Sequence, residues 1–449
     1  MKRPVFTREY SPRPRGKKND SVSVGNKPLI NFFSTFPPIV CGIADYTRYL
    51  VSQMPKESWR VTSFNLDGSF AAREAFSFKG RVSYELSLND LYLPFSLGGD
   101  VAWFQHTFGI WGKDPLCFVR FIEDAKEKDK KVVVSFHTAH FESPETESGL
   151  RWEEEELLAK VLPLLDAATV FTEGAYRAVV RRLPQYQDRV FLLRHGVHLY
   201  PRLGQKRAKE TLVRYLMRQP HIPLQKKRDL HRVYHHFFSP RTITLGTVGF
   251  VSASKALSDL HRLREAAQKR LPRHRVLSLV IGSPRLAKDK TKVKYTRILQ
   301  ELESLHDGET NLFFEHYLAE DLLPIAFKAL DFSVFWCTSA TQSGRISHAQ
   351  GAGACIIGRK LEGVGETLEL SGLPTGRTLE ELADIIQEFT LHPELKEKAL
   401  TSSRRYAHVY CYRAQARKHL LLAKSLLADR KLPLLDLVPR AERSRLESD

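Results

Sequence analysis

Asp331–Gly358, DFSVFWCTSATQSGRISHAQGAGACIIG, is the stretch on which the fold turns. Phe332 to Trp336 is a mostly apolar run without polar alternation, the pattern of a strand buried on both faces of a parallel sheet. Small and polar residues, Cys337 to Gly344, follow it. An Ala- and Gly-rich segment suited to a close-packed helix comes next, and then a second apolar run, Ala354 to Ile357. Such a strand–loop–helix–strand unit aims its loop, and the helix start near Ser343 and Gly344, at the carboxyl edge of a sheet. Backbone N–H groups and the positive end of the helix dipole favour an anion there, most naturally a phosphate. A plain βαβ unit whose loop binds nothing fits this stretch equally well.

The same alternation extends in both directions. Strands are expected at Thr242–Phe250, Arg275–Gly282 and Asn311–Phe314, with helices at Ala256–Arg270, Lys292–Leu305, Ala319–Ala329 and Leu379–Phe389. Towards the N-terminus, strands are expected at Leu29–Ser34, Trp59–Asn65, Val101–His106, Lys131–His137, Ala168–Thr172 and Arg189–Arg194. Helical patterns such as Leu116–Lys128 and Glu153–Leu162 lie between them. Strands alternating with helices of this length give an α/β protein of two doubly wound, Rossmann-like domains, with ligand loops meeting in the cleft between their carboxyl edges. The expected organisation is a disordered basic tail (1–27), an N-terminal domain (28–200), a basic helical insertion or linker (201–240), a C-terminal domain (241–405) and a C-terminal segment (406–449). The amphipathic part of that last segment, Ala414–Leu427, is expected to pack back across both domains.

Length and charge narrow the class. A chain of 449 residues is too long for one core, and no apolar run reaches the roughly 18–20 residues that span a bilayer. The N-terminus, MKRPVFTREYSPRPRGKKND, lacks the apolar core of a secretory signal. Cys41, Cys117, Cys337, Cys355 and Cys411 are scattered, without a CxxC pair, which argues for reduced thiols in a cytoplasmic protein and against a zinc site. The formal charge of +18, from 69 basic and 51 acidic residues, suits an anionic partner: nucleic acid, an acidic membrane surface or a phosphorylated substrate. Residues 201–240 concentrate that charge, and Lys206, Arg207, Lys226, Lys227 and Arg228 are expected to form the surface for it. Tyr215, Tyr234, Phe237 and Phe238 interleave there as base stacking would require, although packing onto the body is the simpler account.

Several loops fall where this architecture binds ligands. Cys41–Ile43 follows the first strand, and Gly42 lets amides approach an anion. Gln105–Trp111, QHTFGIW, and Phe136–Thr138 end buried strands, so His106 and His137 are candidates to donate to a sugar hydroxyl or a developing charge. His195–Gly196–Val197 ends the last N-terminal strand and reads as a connecting turn. Gly249–Lys255, GFVSASK, ends the first C-terminal strand, and an ammonium there can neutralise a departing diphosphate. No Walker loop, GxGxxG after a strand, HExxH or GxSxG is present.

These segments resemble the retaining, family-four (group 1) type of GT-B glycosyltransferase. The carriers are TFPPIVCGIADYTRYL, QHTFGIW, VVVSFHT, RHGV, GFVSASKALSDL and SATQSGRISHAQGAG. The resemblance implies a nucleotide-diphosphate sugar as donor substrate, held mainly by the C-terminal domain, an acceptor on the N-terminal domain, and no metal or further cofactor. It implies catalytic roles for His137, against the transferred sugar, and Lys255, against the leaving group. Gly42, Ile43, Gly249, Phe250, Ser343, Gly344, Arg345, His348 and Glu366 would bind the donor, and Asp45, His106 and Thr107 the acceptor. Where the family commonly carries two glutamates eight positions apart, this chain has Ala340 and His348. Three functions follow: transfer to a cell-envelope, polysaccharide or lipid-linked acceptor, with retention, at the cytoplasmic face of a membrane; transfer to a nucleic acid; or a non-catalytic relative that binds a partner.

Overall fold

A computed structural model describes residues 28–65, 78–88, 98–112, 115–284 and 289–430. The tail expected over residues 1–27 lies outside them. In the N-terminal half β1 (Ile30–Phe33), β2 (Trp59–Phe64), β3 (Val82–Leu86), β4 (Val101–His106), β5 (Lys131–Phe136), β6 (Ala167–Val170) and β7 (Val190–Leu192) form a parallel sheet in the order β3-β2-β1-β4-β5-β6-β7. In the C-terminal half β8 (Thr242–Val248), β9 (Arg275–Gly282), β10 (Asn311–Glu315), β11 (Phe332–Phe335), β12 (Ile356–Arg359) and β13 (Thr375–Gly376) form a second, in the order β10-β9-β8-β11-β12-β13. Each order reverses beside its first strand, between β1 and β4 and between β8 and β11. Doubly wound sheets bind ligands outside the carboxyl ends at such points.

The strands form where the sequence is apolar without alternation. Every residue of β4 and of β8 is buried, because helices cover both faces of each sheet. Helices carry one apolar stripe. Gly42–Ser52 buries Ala44, Tyr46, Leu50 and Val51, and Leu379–Leu391 buries Leu382, Ala383, Ile386 and Phe389 behind a Thr378 hydroxyl that accepts from the Glu381 amide.

Residues 201–240 pack into the C-terminal half. Helices Gln205–Arg218 and Leu224–Phe237 form a hairpin whose stripe of Ala208, Leu212, Leu216, Leu230, Val233 and Phe237 belongs to the same buried cluster as β8 and β9. Helical spacing of apolar residues was present beneath the basic ones, and burial of that stripe outweighs the charge around it. Lys226 therefore leaves the expected anionic-partner surface. It is buried, with Nζ 2.5 Å from Glu303 Oε2 and 2.9 Å from the Phe313 carbonyl. Lys206, Arg207 and Arg228 remain exposed and Lys227 is half-buried. The interleaved aromatics pack inward: Phe237 is buried, Tyr215 donates to or accepts from His316 Nε2 at 2.8 Å, and Tyr234 and Phe238 lie against the core.

Two chain crossovers join the halves, and they run side by side: the Val197 amide donates to the Tyr410 carbonyl at 2.9 Å. After the second crossover, helix Tyr412–Leu427 packs on the N-terminal half, burying Tyr412, Ala416, Leu422 and Ala423 among Ile30, Phe32 and Trp103.

Candidate functional site

A cleft of about 330 Å³ lies between the two carboxyl edges. The C-terminal half contributes Ser254 and Lys255 from the turn after β8, the loop Ser339–Ser343 and Arg345. The N-terminal half contributes Thr138, His140 and Arg151. No aspartate or glutamate is among the described residues that line it.

Each cation is placed by its element. Lys255 sits on the single 3-10 turn Ala253–Lys255, and its Nζ donates to the Phe250 carbonyl. Arg345, in the first turn of helix Gly344–Gly351, donates from Nη1 to Thr247 Oγ1 at 2.9 Å and to the Val248 carbonyl at 3.0 Å, which locks it onto the end of β8. Burial pulls this guanidinium down to about 10. Gly249 is required beneath it: φ is +119°, and a Cβ would come 2.7 Å from Arg345 Cδ. Phe250 packs against the exposed Tyr317, with ring centroids 5.5 Å apart. Ser343 is the N-cap of the helix, without a side-chain capping bond, and a Cβ on Gly344 would meet nothing within 4 Å. The helix start thus opens onto free space beside two cations, which is the environment an oxyanion needs.

Facing it, helix Gly42–Ser52 also begins without a side-chain cap at Cys41, with Gly42 exposed and Ile43 half-buried. Asp45 in its first turn is half exposed, 3.8 Å from Arg48. Thr107 Oγ1 lies 3.4 Å from Thr138 Oγ1, one layer behind the cleft wall.

Four expected site residues are held differently. His137 is buried: Nε2 meets Gln105 Oε1 at 2.5 Å and Nδ1 meets Gln342 Nε2 at 3.0 Å. Both ring nitrogens are engaged across the two halves, so the imidazole positions Gln342 and has no donor left for a sugar. His106 is enclosed by Phe108, Phe118 and Phe136, and burial pushes it down to about 3, so it faces the core and not an acceptor. His348 is buried, bonded through Nδ1 to Tyr200 Oη at 2.6 Å and stacked on His198 at 4.0 Å, which leaves no opening towards a ribose. Glu366 is spent on the other half. It takes Arg194 Nη1 at 2.5 Å and the amides of Glu173 and Gly174 at 2.7 and 2.9 Å, capping helix Glu173–Arg182.

Two residues of the cleft escaped the sequence reading. His140 Nδ1 lies 2.5 Å from the buried Glu154 carboxylate, while Nε2 is 3.5 Å from Ser339 Oγ across the cleft. Arg151 Nη2 donates to the same hydroxyl at 3.2 Å. The available signal was a second histidine three positions beyond His137, followed by a glutamate-rich helix, Trp152–Val161, whose Glu154 is buried.

Comparison with solved structures gives the architecture its context. Anabaena HepE in complex with UDP superposes with a TM-score of 0.60 at 14% identity, covering 88% of this chain and 100% of that one. The Escherichia coli trehalose-6-phosphate protein bound with UDP-2-fluoro glucose gives 0.61 at 13%, covering 88% and 99%. The fold is GT-B. An alpha,alpha-trehalose-phosphate synthase (UDP-forming) from Burkholderia vietnamiensis matches the same GT-B arrangement at 0.61 and 12%, covering 90% and 98%. No family model matches the chain, and no curated protein matches it. Among the described residues no three His, Cys, Asp or Glu are grouped to hold a metal ion, and no helix is long and apolar enough to cross a membrane.

Proposed function

We propose that this GT-B chain is a metal-independent glycosyltransferase that moves a hexosyl group from a nucleotide-diphosphate sugar. The observation that carries the reading is the cation-lined cleft, with no aspartate or glutamate among its described lining residues, at the switch point of the C-terminal sheet. When the bond between the anomeric carbon and the β-phosphate oxygen breaks, negative charge grows on that oxygen. Lys255, Arg151 and the amides at the start of helix Gly344–Gly351 stabilise it, with Arg345 fixed behind them. The acceptor hydroxyl oxygen bonds to the anomeric carbon as that bond breaks, and its proton passes to the departing phosphate oxygen. His140, oriented by Glu154 at Nδ1, lines the cleft, and its Nε2, only 3.5 Å from Ser339 Oγ, accepts from a hydroxyl of the transferred sugar, in the place expected of His137.

The acceptor side is the N-terminal half, where Asp45 and Thr107 stand near the carboxyl edge. A cell-envelope, polysaccharide or lipid-linked acceptor at the cytoplasmic face of an anionic membrane, transferred with retention, is the fuller form of the proposal. Burial of Phe237, and of Tyr215, Tyr234 and Phe238 in part, against the core leaves fewer rings for base stacking, which weighs against a nucleic acid.

The test is a thermal-shift and turnover panel of UDP-, GDP- and ADP-sugars. One of them should stabilise the protein, by about 2.7 kcal/mol at a hundredfold excess over Kd, and release its nucleoside diphosphate. No response to any of them would support the non-catalytic, partner-binding reading instead.

A further inference from the structure

We propose a second anion site, for a phosphate-bearing ligand, in the cavity beside the two chain crossovers. This cavity, about 370 Å³, is bordered by Leu199–Leu203 on the first crossover, by Arg404 and His408 approaching the second, and by the C-terminal end of helix Gly344–Gly351. That helix begins at the cleft and is roughly 12 Å long, so the two sites lie at its opposite ends.

The chemistry is cationic and unbalanced. Arg202, Lys328, Arg404 and His408 line the cavity, and no aspartate or glutamate does among the described residues. A Cβ on Gly353 would lie 4.0 Å from both Arg404 Nε and Lys328 Nζ, so these two cations converge on one point. Three other buried cations each have a carboxylate: Lys209 has Asp331, Lys226 has Glu303 and Arg194 has Glu366. Among the described residues Lys328 has only the Gly353 carbonyl as a hydrogen-bond partner, at 2.7 Å. Burial, then Arg404 and Lys396, hold its ammonium below the usual range, and Glu397 offsets part of that. Gln350, 2% exposed, borders the same cavity, and among the described residues neither atom of its side-chain amide has a partner.

The helix end does not oppose an anion here, because its carbonyls are occupied. His348 accepts from Ala352, Ala349 from Ala354, and Gln350 from Gly353. A fork of arginines around a lysine matches the several oxygens and multiple charge of a phosphate or diphosphate better than a single carboxylate. The source is either a soluble phosphorylated metabolite or a phospholipid headgroup; the exposed Leu199 borders the cavity.

Arg404→Gln is the informative change, since Arg404 caps nothing and Lys328 holds a carbonyl. In a background that lacks both cleft cations placed against the diphosphate (Lys255→Ala with Arg151→Gln), sodium pyrophosphate is titrated calorimetrically with and without Arg404→Gln. Cosedimentation with phosphatidylglycerol vesicles, against phosphatidylcholine, forms the second arm. We expect one-to-one pyrophosphate binding that weakens about tenfold or more in the Arg404→Gln protein, at unchanged melting temperature. Arg404-dependent vesicle binding without pyrophosphate binding would assign the ligand to a headgroup phosphate. Binding that ignores Arg404 in both arms, or no binding in either, would overturn the site.

Discussion

Lys255→Ala should slow sugar transfer about 10²–10³-fold while leaving the melting temperature unchanged within error. The side chain lies on a short turn at the cleft wall, outside the buried cores, so removing it opens no cavity in the packing. Its ammonium matters when the diphosphate departs, because a positioned charge stabilises a developing anion more than a bound ground state. The loss should therefore fall on kcat more than on KM, and Lys255→Arg should recover part of it by retaining charge on a different geometry. Steady-state kinetics with the sugar nucleotide found by the panel decides the matter. Full turnover by Lys255→Ala would remove the residue from the mechanism.

Acidification from pH 7 to pH 5 should strip away most of the folding stability. Six histidines are held in neutral form, His106, His137, His348 and His419 buried and His195 and His198 half-buried. Burial pushes His195 and His419 down to about 4, His106 and His348 to about 3, His198 to about 2, and His137 well below its ordinary value. Neighbouring histidines add to this at His137 and His198, and the carbonyls of Gly196 and Gln415 only partly offset it at His195 and His419. Because the folded values lie below 6.5, the unfolded chain binds more protons once pH falls through that value. Stability is full above about pH 7 and declines towards pH 4. Each histidine costs about 2 kcal/mol by pH 5, and the set on the order of 10 kcal/mol, comparable with the whole stability of an ordinary domain. Urea unfolding at pH 5, 6, 7 and 8 should show the midpoint collapsing below pH 6. Equal midpoints at pH 5 and 7 would contradict the burial of these rings as neutral groups.

The fold was legible because both sheets are built from apolar runs too continuous for anything but parallel strands covered on two sides. Val101–His106 and Thr242–Val248 are the plainest cases. Two strands were missed for opposite reasons: Val82–Leu86 leaves Ser83, Tyr84 and Glu85 partly or fully accessible at an edge, and Thr375–Gly376 is too short to carry a pattern. In the 201–240 stretch the one misplaced side chain is Lys226, which its basic neighbours made look exposed although it shares the buried face of its helix with Leu230 and Val233. At the site, elements were placed well and side chains less so. A strand-end position says which edge of the sheet a residue reaches; it does not say what its ring touches. His137 and His106 sit at the carboxyl ends expected of them, yet one bridges to Gln342 and the other points among phenylalanines. His140 faces the cleft because Glu154, on a different element, holds it there, a pairing no local pattern announces.

A crystal structure of the protein with its preferred nucleoside diphosphate bound would test the central claim most directly. The account predicts diphosphate oxygens within hydrogen-bonding distance of Lys255 Nζ and of the amides opening helix Gly344–Gly351, with no carboxylate between them. A nucleotide seated elsewhere, with that corner of the cleft holding only solvent, would contradict it.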